Sequence, residues 1–284
     1  MYVFRPDPAE SFGPATKPLL IRGGYNLAFE CSAPTPMVLA LHIRPERSTD
    51  LVQPEIFTLF PDIPYNIYID SFGNKCTRLN APAGRLSIWN RFIIADNGLP
   101  EPLPVHAHQH DVSELPEDAL MYLLGSRYCE TDKLMQIAWS LFGPYWEGWP
   151  RVQAILDYVH TWLQFDYQSA RSDRTAFEAH EYRTGVCRDF AHLAITFCRC
   201  MNIPARYCTG YLGDIGVQAN FAPMDFSAWF EVYLGGRWWS LDARHNQPRI
   251  GRILIARGRD AADVALSTAF GQANLTEFQV ITEL

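Results

Sequence analysis

The chain has 284 residues, 48% of them hydrophobic and 13% aromatic, which is more than one ordinary core usually holds and predicts two globular domains. Its 24 basic residues against 31 acidic ones give a net charge of -7 with no long Lys or Arg run. That excludes the electrostatic footprint of a nucleic-acid or membrane-surface binder. The opening stretch "MYVFRPDPAESFGP" carries no basic region followed by an apolar one, and no window approaches a membrane-spanning length, so a cytoplasmic location is expected. Seven cysteines are an odd count for a disulfide framework and fit reduced thiols. The Cys198-Arg199-Cys200 spacing is not that of a zinc or redox pair, and neither metal nor cofactor is expected.

From about residue 19 to 98, short runs rich in Leu, Ile, Val, Phe and Tyr alternate with turn residues, which predicts an antiparallel β-sandwich over residues 1–100. Within it "SFGN" at 71–74 reads as a hairpin loop. A proline-rich stretch, 101–116, follows as a linker. Its His106, His108 and His110 could line one face if extended, but no nearby cysteine or clear acidic ligand set accompanies them, and they read as linker residues.

Beyond Pro116 the period changes to that of helices, and residues 117–284 read as an α+β domain. Leu134, Ile137, Ala138 and Leu141 form one stripe, and Val152, Ile155, Leu156, Val159 and Leu163 another, the second opened by Pro150. His160 in that helix reads as structural. A third helix starts at Cys187, with Phe190, Ala194, Phe197 and Cys198 in register behind it. Backbone N–H groups at a helix start favour a thiolate, so Cys187 is expected to ionise below the ~8.5 of a free thiol; a buried structural cysteine is the alternative reading.

Downstream, Gly235-Gly236 between two alternating aromatic runs predicts a two-residue hairpin. Its register sets Leu234 opposite Arg237, Glu231 opposite Ser240 and Trp229 opposite Asp242. Ser227, Trp229 and Asp242 then share one face, and Ala228, Phe230, Val232 and Leu234 the other.

The linked motifs "TGVCRDFAHLAITFCRCMNIPARYCTGYL", "DFSAWFEVYL" and "GGRWWSLDAR" resemble the core of the bacterial transglutaminase-like superfamily, whose papain-like fold carries a Cys, His, Asp triad in that chain order. The strand-rich first half resembles the β-domain that accompanies many members. The resemblance implies Cys187 as nucleophile and Asp242 as the residue that orients the base. At the family's histidine position this chain has Ser227, and a neutral hydroxyl cannot take a thiol's proton near pH 7. His245, three residues past Asp242, is a candidate substitute base or a loop residue; His180 is a weaker candidate, Asp225 would be a poor base for a thiol, and His192 points away from Cys187 around its helix. Trp229 would shape an acyl pocket or pack in the core.

The expectation is a cysteine enzyme, acting by amide hydrolysis or by acyl transfer through a Cys187 thioester on a peptide or protein substrate. The alternative is an impaired relative that retains the fold as a peptide-binding module.

Overall fold

Strand β1 (Leu19–Cys31) is the first element of the computed structural model, which describes residues 18–218 and 224–284; the opening stretch read for a leader pattern lies outside the described residues. The first half continues with β2 (Thr35–Leu39), β3 (Leu51–Gln53), β4 (Thr58–Phe60), β5 (Tyr65–Ile69), β6 (Lys75–Ala81) and β7 (Gly84–Asp96). Every pairing among them is antiparallel, and β1 and β7 run side by side over their whole lengths. The "SFGN" hairpin forms between β5 and β6 because Asp70 Oδ1 accepts the N–H groups of Phe72 and Asn74, each at 2.8 Å.

The second half contains α1 (Glu117–Leu120), α2 (Thr131–Phe142), α3 (Trp149–Trp162), β8 (Gln164–Phe165), α4 (Ala176–Tyr182), β9 (Thr184–Gly185) and α5 (Cys187–Cys200). Then come β10 (Ala205–Tyr211), β11 (Ser227–Leu234), β12 (Arg237–Leu241), β13 (Ile253–Gly258), β14 (Ser267–Ala269) and β15 (Ala273–Glu283). Strands β12, β11, β10 and β13 make a sheet in that order, and α5 packs on β10 and β11. Chain class is therefore α+β.

Two expectations need correction. The first is the division at residue 117. Strand β15 pairs with β1 along nearly all its length, and β14 pairs with β2, so the late strands complete the two sheets of the first half. One hydrophobic cluster runs from Ile21 and Phe92 through Phe197 to Ile255. Stretch 101–116 is accordingly not a free linker but a strap tied to what it crosses. Its Ala107 carbonyl accepts from Trp149 N–H, the His108 carbonyl from Gly235 N–H, and Gln109 donates to the Met201 carbonyl. His110 Nε2 accepts the Gly236 N–H at 2.8 Å. Among the described residues no group of three or more His, Cys, Asp or Glu side chains is placed to hold a metal.

The second correction concerns α5. Its sequence reads as amphipathic, yet every residue from Asp189 to Cys200 is buried, because α2, α3 and α4 surround the side that the sheet leaves open. Even Arg199 lies inside, 2% exposed.

Candidate active site

Cys187 is the first residue of α5, and the turn before it depends on Gly185. A Cβ at 185 would come within 2.6 Å of the Asp189 side chain, and that carboxylate reaches back to accept the Val186 N–H at 2.9 Å. The glycine thus lets an N3 carboxylate close the start of the helix, which holds Cys187 at its mouth. The thiol is half-buried.

The hairpin β11–β12 turns at Gly235 and Gly236, with φ of 56° and 83°, and has the expected register: Leu234 faces Arg237 and Glu231 faces Ser240. The ladder stops one pair short of Trp229 and Asp242, because the chain turns immediately after Leu241. Asp242 Oδ1 accepts the N–H groups of Arg244 and His245 at 2.9 and 3.0 Å, and the Asp242 carbonyl accepts the Asn246 N–H at 2.8 Å. This side-chain-capped turn returns His245 towards its own aspartate, with His245 Nδ1 2.9 Å from Asp242 Oδ2.

Cys187, Ser227 and His245 line one cleft of about 430 Å³, together with Tyr167, Arg244 and Arg249. Asp225, the carboxylate weighed as a poor base, also faces this cleft. Trp229 does not. It is 2% exposed and packs with Cys208 and Leu254, on the other side of β11 from Ala228 and Phe230, so its assignment as a substrate contact is corrected. The remaining histidines are engaged elsewhere. His192 accepts the Ala261 N–H and stacks on Tyr128, and His180 bonds to the Tyr158 hydroxyl beneath Trp162. His160 donates from Nδ1 to the Arg244 carbonyl at 2.9 Å and so steadies the turn that carries His245.

A family model described as "Transglutaminase-like superfamily" matches residues 144–243, a span that contains Cys187, Ser227 and Asp242 and ends before His245. A crystal structure described as that of a "putative cysteine protease" from Cytophaga hutchinsonii is 30% identical, with a TM-score of 0.80, and the match covers 94% of this chain and 91% of that one. The chain belongs to the transglutaminase-like superfamily. Among curated proteins, an uncharacterised protein of Mycobacterium leprae is 35% identical over 109 residues, 37% of this chain and 38% of its own length. Another from Mycobacterium tuberculosis is 39% identical over 93 residues, 29% of each chain. This superfamily member therefore spans well under half the length of those two relatives.

The electrostatics of the superfamily site differ at its two ends. Burial alone would raise the Asp242 carboxyl, but the bond from His245 and the charge of Arg252, whose Nη2 lies 3.1 Å from Oδ2, hold it well below the usual carboxylate range. Cys187 moves the other way. Burial pushes its thiol up to about 11, and the charge of Arg244 with the Ala228 N–H only partly offsets that. This direction is opposite to the one expected from the helix start, because loss of hydration at the helix mouth works against the favourable N–H groups.

A measurable consequence is the pH course of alkylation. The other six cysteines are buried, so iodoacetamide should reach Cys187 first, with a rate that still climbs tenfold per pH unit between pH 7 and 10. Peptide mapping over a pH series checks this; a plateau reached before pH 8.5 would contradict it.

Sequence reasoning missed Arg244, Arg252, Tyr167 and Glu101. Arg244 sits inside the "DARH" turn, where a cation flanking a candidate triad residue was a usable signal; its guanidinium lies 3.7 Å from the Phe165 ring centre and faces Cys187. Arg252 and Glu101 offered no such signal, being 151 positions apart and joined only by folding.

Proposed function

We propose that the protein is a cysteine acyl-transfer enzyme, hydrolysing or transferring the acyl group of a peptide or protein amide through a Cys187 thioester, with His245 as base and Asp242 as its orienter. The observation that carries this reading is the His245–Asp242 pair at 2.9 Å, with His245 lining the cleft that Cys187 also lines. An ionised Asp242 accepts a hydrogen bond from the Nδ1–H of His245, which fixes the tautomer that leaves the lone pair on Nε2. That nitrogen removes the Cys187 proton as sulfur attacks the amide carbonyl. The resulting imidazolium then protonates the departing amine as the C–N bond breaks, leaving a thioester. Water or a second amine attacks the thioester, giving its proton to His245 and restoring the thiol.

A thiol that rests protonated suits this order of events, because the proton leaves only when an acyl group is present to be attacked. Seven unpaired cysteines support a reducing, cytoplasmic setting. The net charge of -7 gives no support to nucleic-acid or membrane partners.

The test uses p-nitrophenyl acetate with and without a primary amine. Nitrophenol release with an acetyl group mapped to Cys187, both lost in Cys187→Ser, is the expected result; partition of the acetyl group between water and amine then separates hydrolysis from transfer. An adduct absent from Cys187, with equal release by wild type and Cys187→Ser, would replace this reading with that of a binding module, which the serine at position 227 favours.

A further inference from the structure

From Asp242 the chain of charges continues to Arg252 and Glu101. Arg252 Nη2 is 3.1 Å from Asp242 Oδ2, the oxygen that also holds His245 Nδ1. Its Nε is 2.8 Å from Glu101 Oε1, on the strap, and Glu101 is itself fixed by its N–H bond to the Arg249 carbonyl. The guanidinium stacks 4.7 Å from the ring centre of Trp229. Arg252 and Asp242 side chains are only 5% and 3% exposed, so water does little to screen them from one another.

We propose that Arg252, charge-balanced by Glu101 of the strap and seated on Trp229, is a positioning residue that fixes the Asp242 carboxylate and through it sets the proton affinity of His245. The proposal rests on the His245–Asp242 reading given above and adds to it the strap as a part of the catalytic apparatus. Trp229, displaced from the cleft, acquires a role as the platform under this guanidinium.

Geometry makes the two partners opposite in sign. Asp242 stabilises an imidazolium; Arg252 opposes that by neutralising Asp242; Glu101 in turn neutralises Arg252. The other charged or titratable groups facing His245 are Tyr167, Cys187, Asp214, Asp225, Arg244 and Arg249 around the cleft, all left in place by changes at 101 and 252. Arg252→Met therefore leaves Asp242 uncompensated and makes His245 easier to protonate. Glu101→Gln preserves an oxygen for the Arg252 Nε bond but removes the balancing charge, and makes His245 harder to protonate.

The experiment is an NMR titration of the full chain with histidine ring carbons labelled, the His245 signal being assigned by its loss in His245→Ala. Relative to wild type, the His245 midpoint should move up by about one pH unit in Arg252→Met and down by a few tenths of a unit in Glu101→Gln, with Arg252→Lys lying between wild type and Arg252→Met. The acid limb of Cys187 acylation should move with it. Because the NMR readout needs no turnover, it stands even if His245 proves dispensable for acylation, and the two ideas can fail separately. If Arg252→Met does not fold, the downward shift in Glu101→Gln alone decides the matter. An unmoved midpoint in Glu101→Gln, or shifts of the same sign in Glu101→Gln and Arg252→Met, would overturn the proposal.

Discussion

His245→Ala is expected to lower Cys187 acylation by about 10²–10⁴-fold, the usual worth of a positioned general base, while Ser227→His should change it by no more than a few-fold. The structure sets that order. Both oxygens of Asp242 are already taken, Oδ1 by two N–H groups of its own turn and Oδ2 by His245 and Arg252. An imidazole added at 227 would share the cleft with His245 yet find no free carboxylate oxygen to fix its tautomer. A thiol pushed up to about 11 makes the base matter more, because little thiolate exists at neutral pH without help. Initial rates of p-nitrophenyl acetate turnover for both variants check the prediction. The reverse order, with His245→Ala silent and Ser227→His more active, would mean that position 227 is the proper place for a base and that the natural chain lacks one.

Arg199→Ala should destabilise the fold by about 3–5 kcal/mol, with little direct effect on the cleft. This guanidinium at the end of α5 donates to the Ala205 carbonyl from Nε and Nη2, to the Leu124 carbonyl and Ser126 hydroxyl from Nη1, and to the Arg259 carbonyl from Nη2. It thereby ties α5 to the segment before α2, to β10 and to the turn after β13. Among the described residues no carboxylate lies within ion-pair distance of it, so four neutral oxygens, three carbonyl and one hydroxyl, solvate the charge. Truncation leaves those buried oxygens without donors and a cavity where the side chain was. Arg199→Lys should recover only part of the loss, since one ammonium cannot reach all the acceptors that the planar fork spans. Urea unfolding of the three proteins measures it; a loss under about 1 kcal/mol for the alanine variant would refute the account.

Local rules settled much of this protein from its residues alone. Positive φ at a Gly-Gly pair fixes the hairpin type, and the hairpin type fixes which residues face one another, so the β11–β12 register was readable without any tertiary information. The same holds for the helix start at Cys187, for the Asp70 turn and for the α+β class, all of which depend on residues close in sequence. Tertiary structure decided the rest, because it sets what surrounds each element. The period-two pattern of the first half said nothing of β14 and β15 joining it from more than 200 positions away. Amphipathicity of α5 could not show that three other helices would cover its polar side and bury Arg199. Parity placed Trp229 on the face of Ser227 and Asp242, but where that face points along a twisted, turning strand depends on packing, and it placed Trp229 under Arg252 instead of beside Cys187. The direction of the Cys187 shift is likewise a contest between helix N–H groups, which the sequence displays, and loss of hydration, which only the folded cleft imposes.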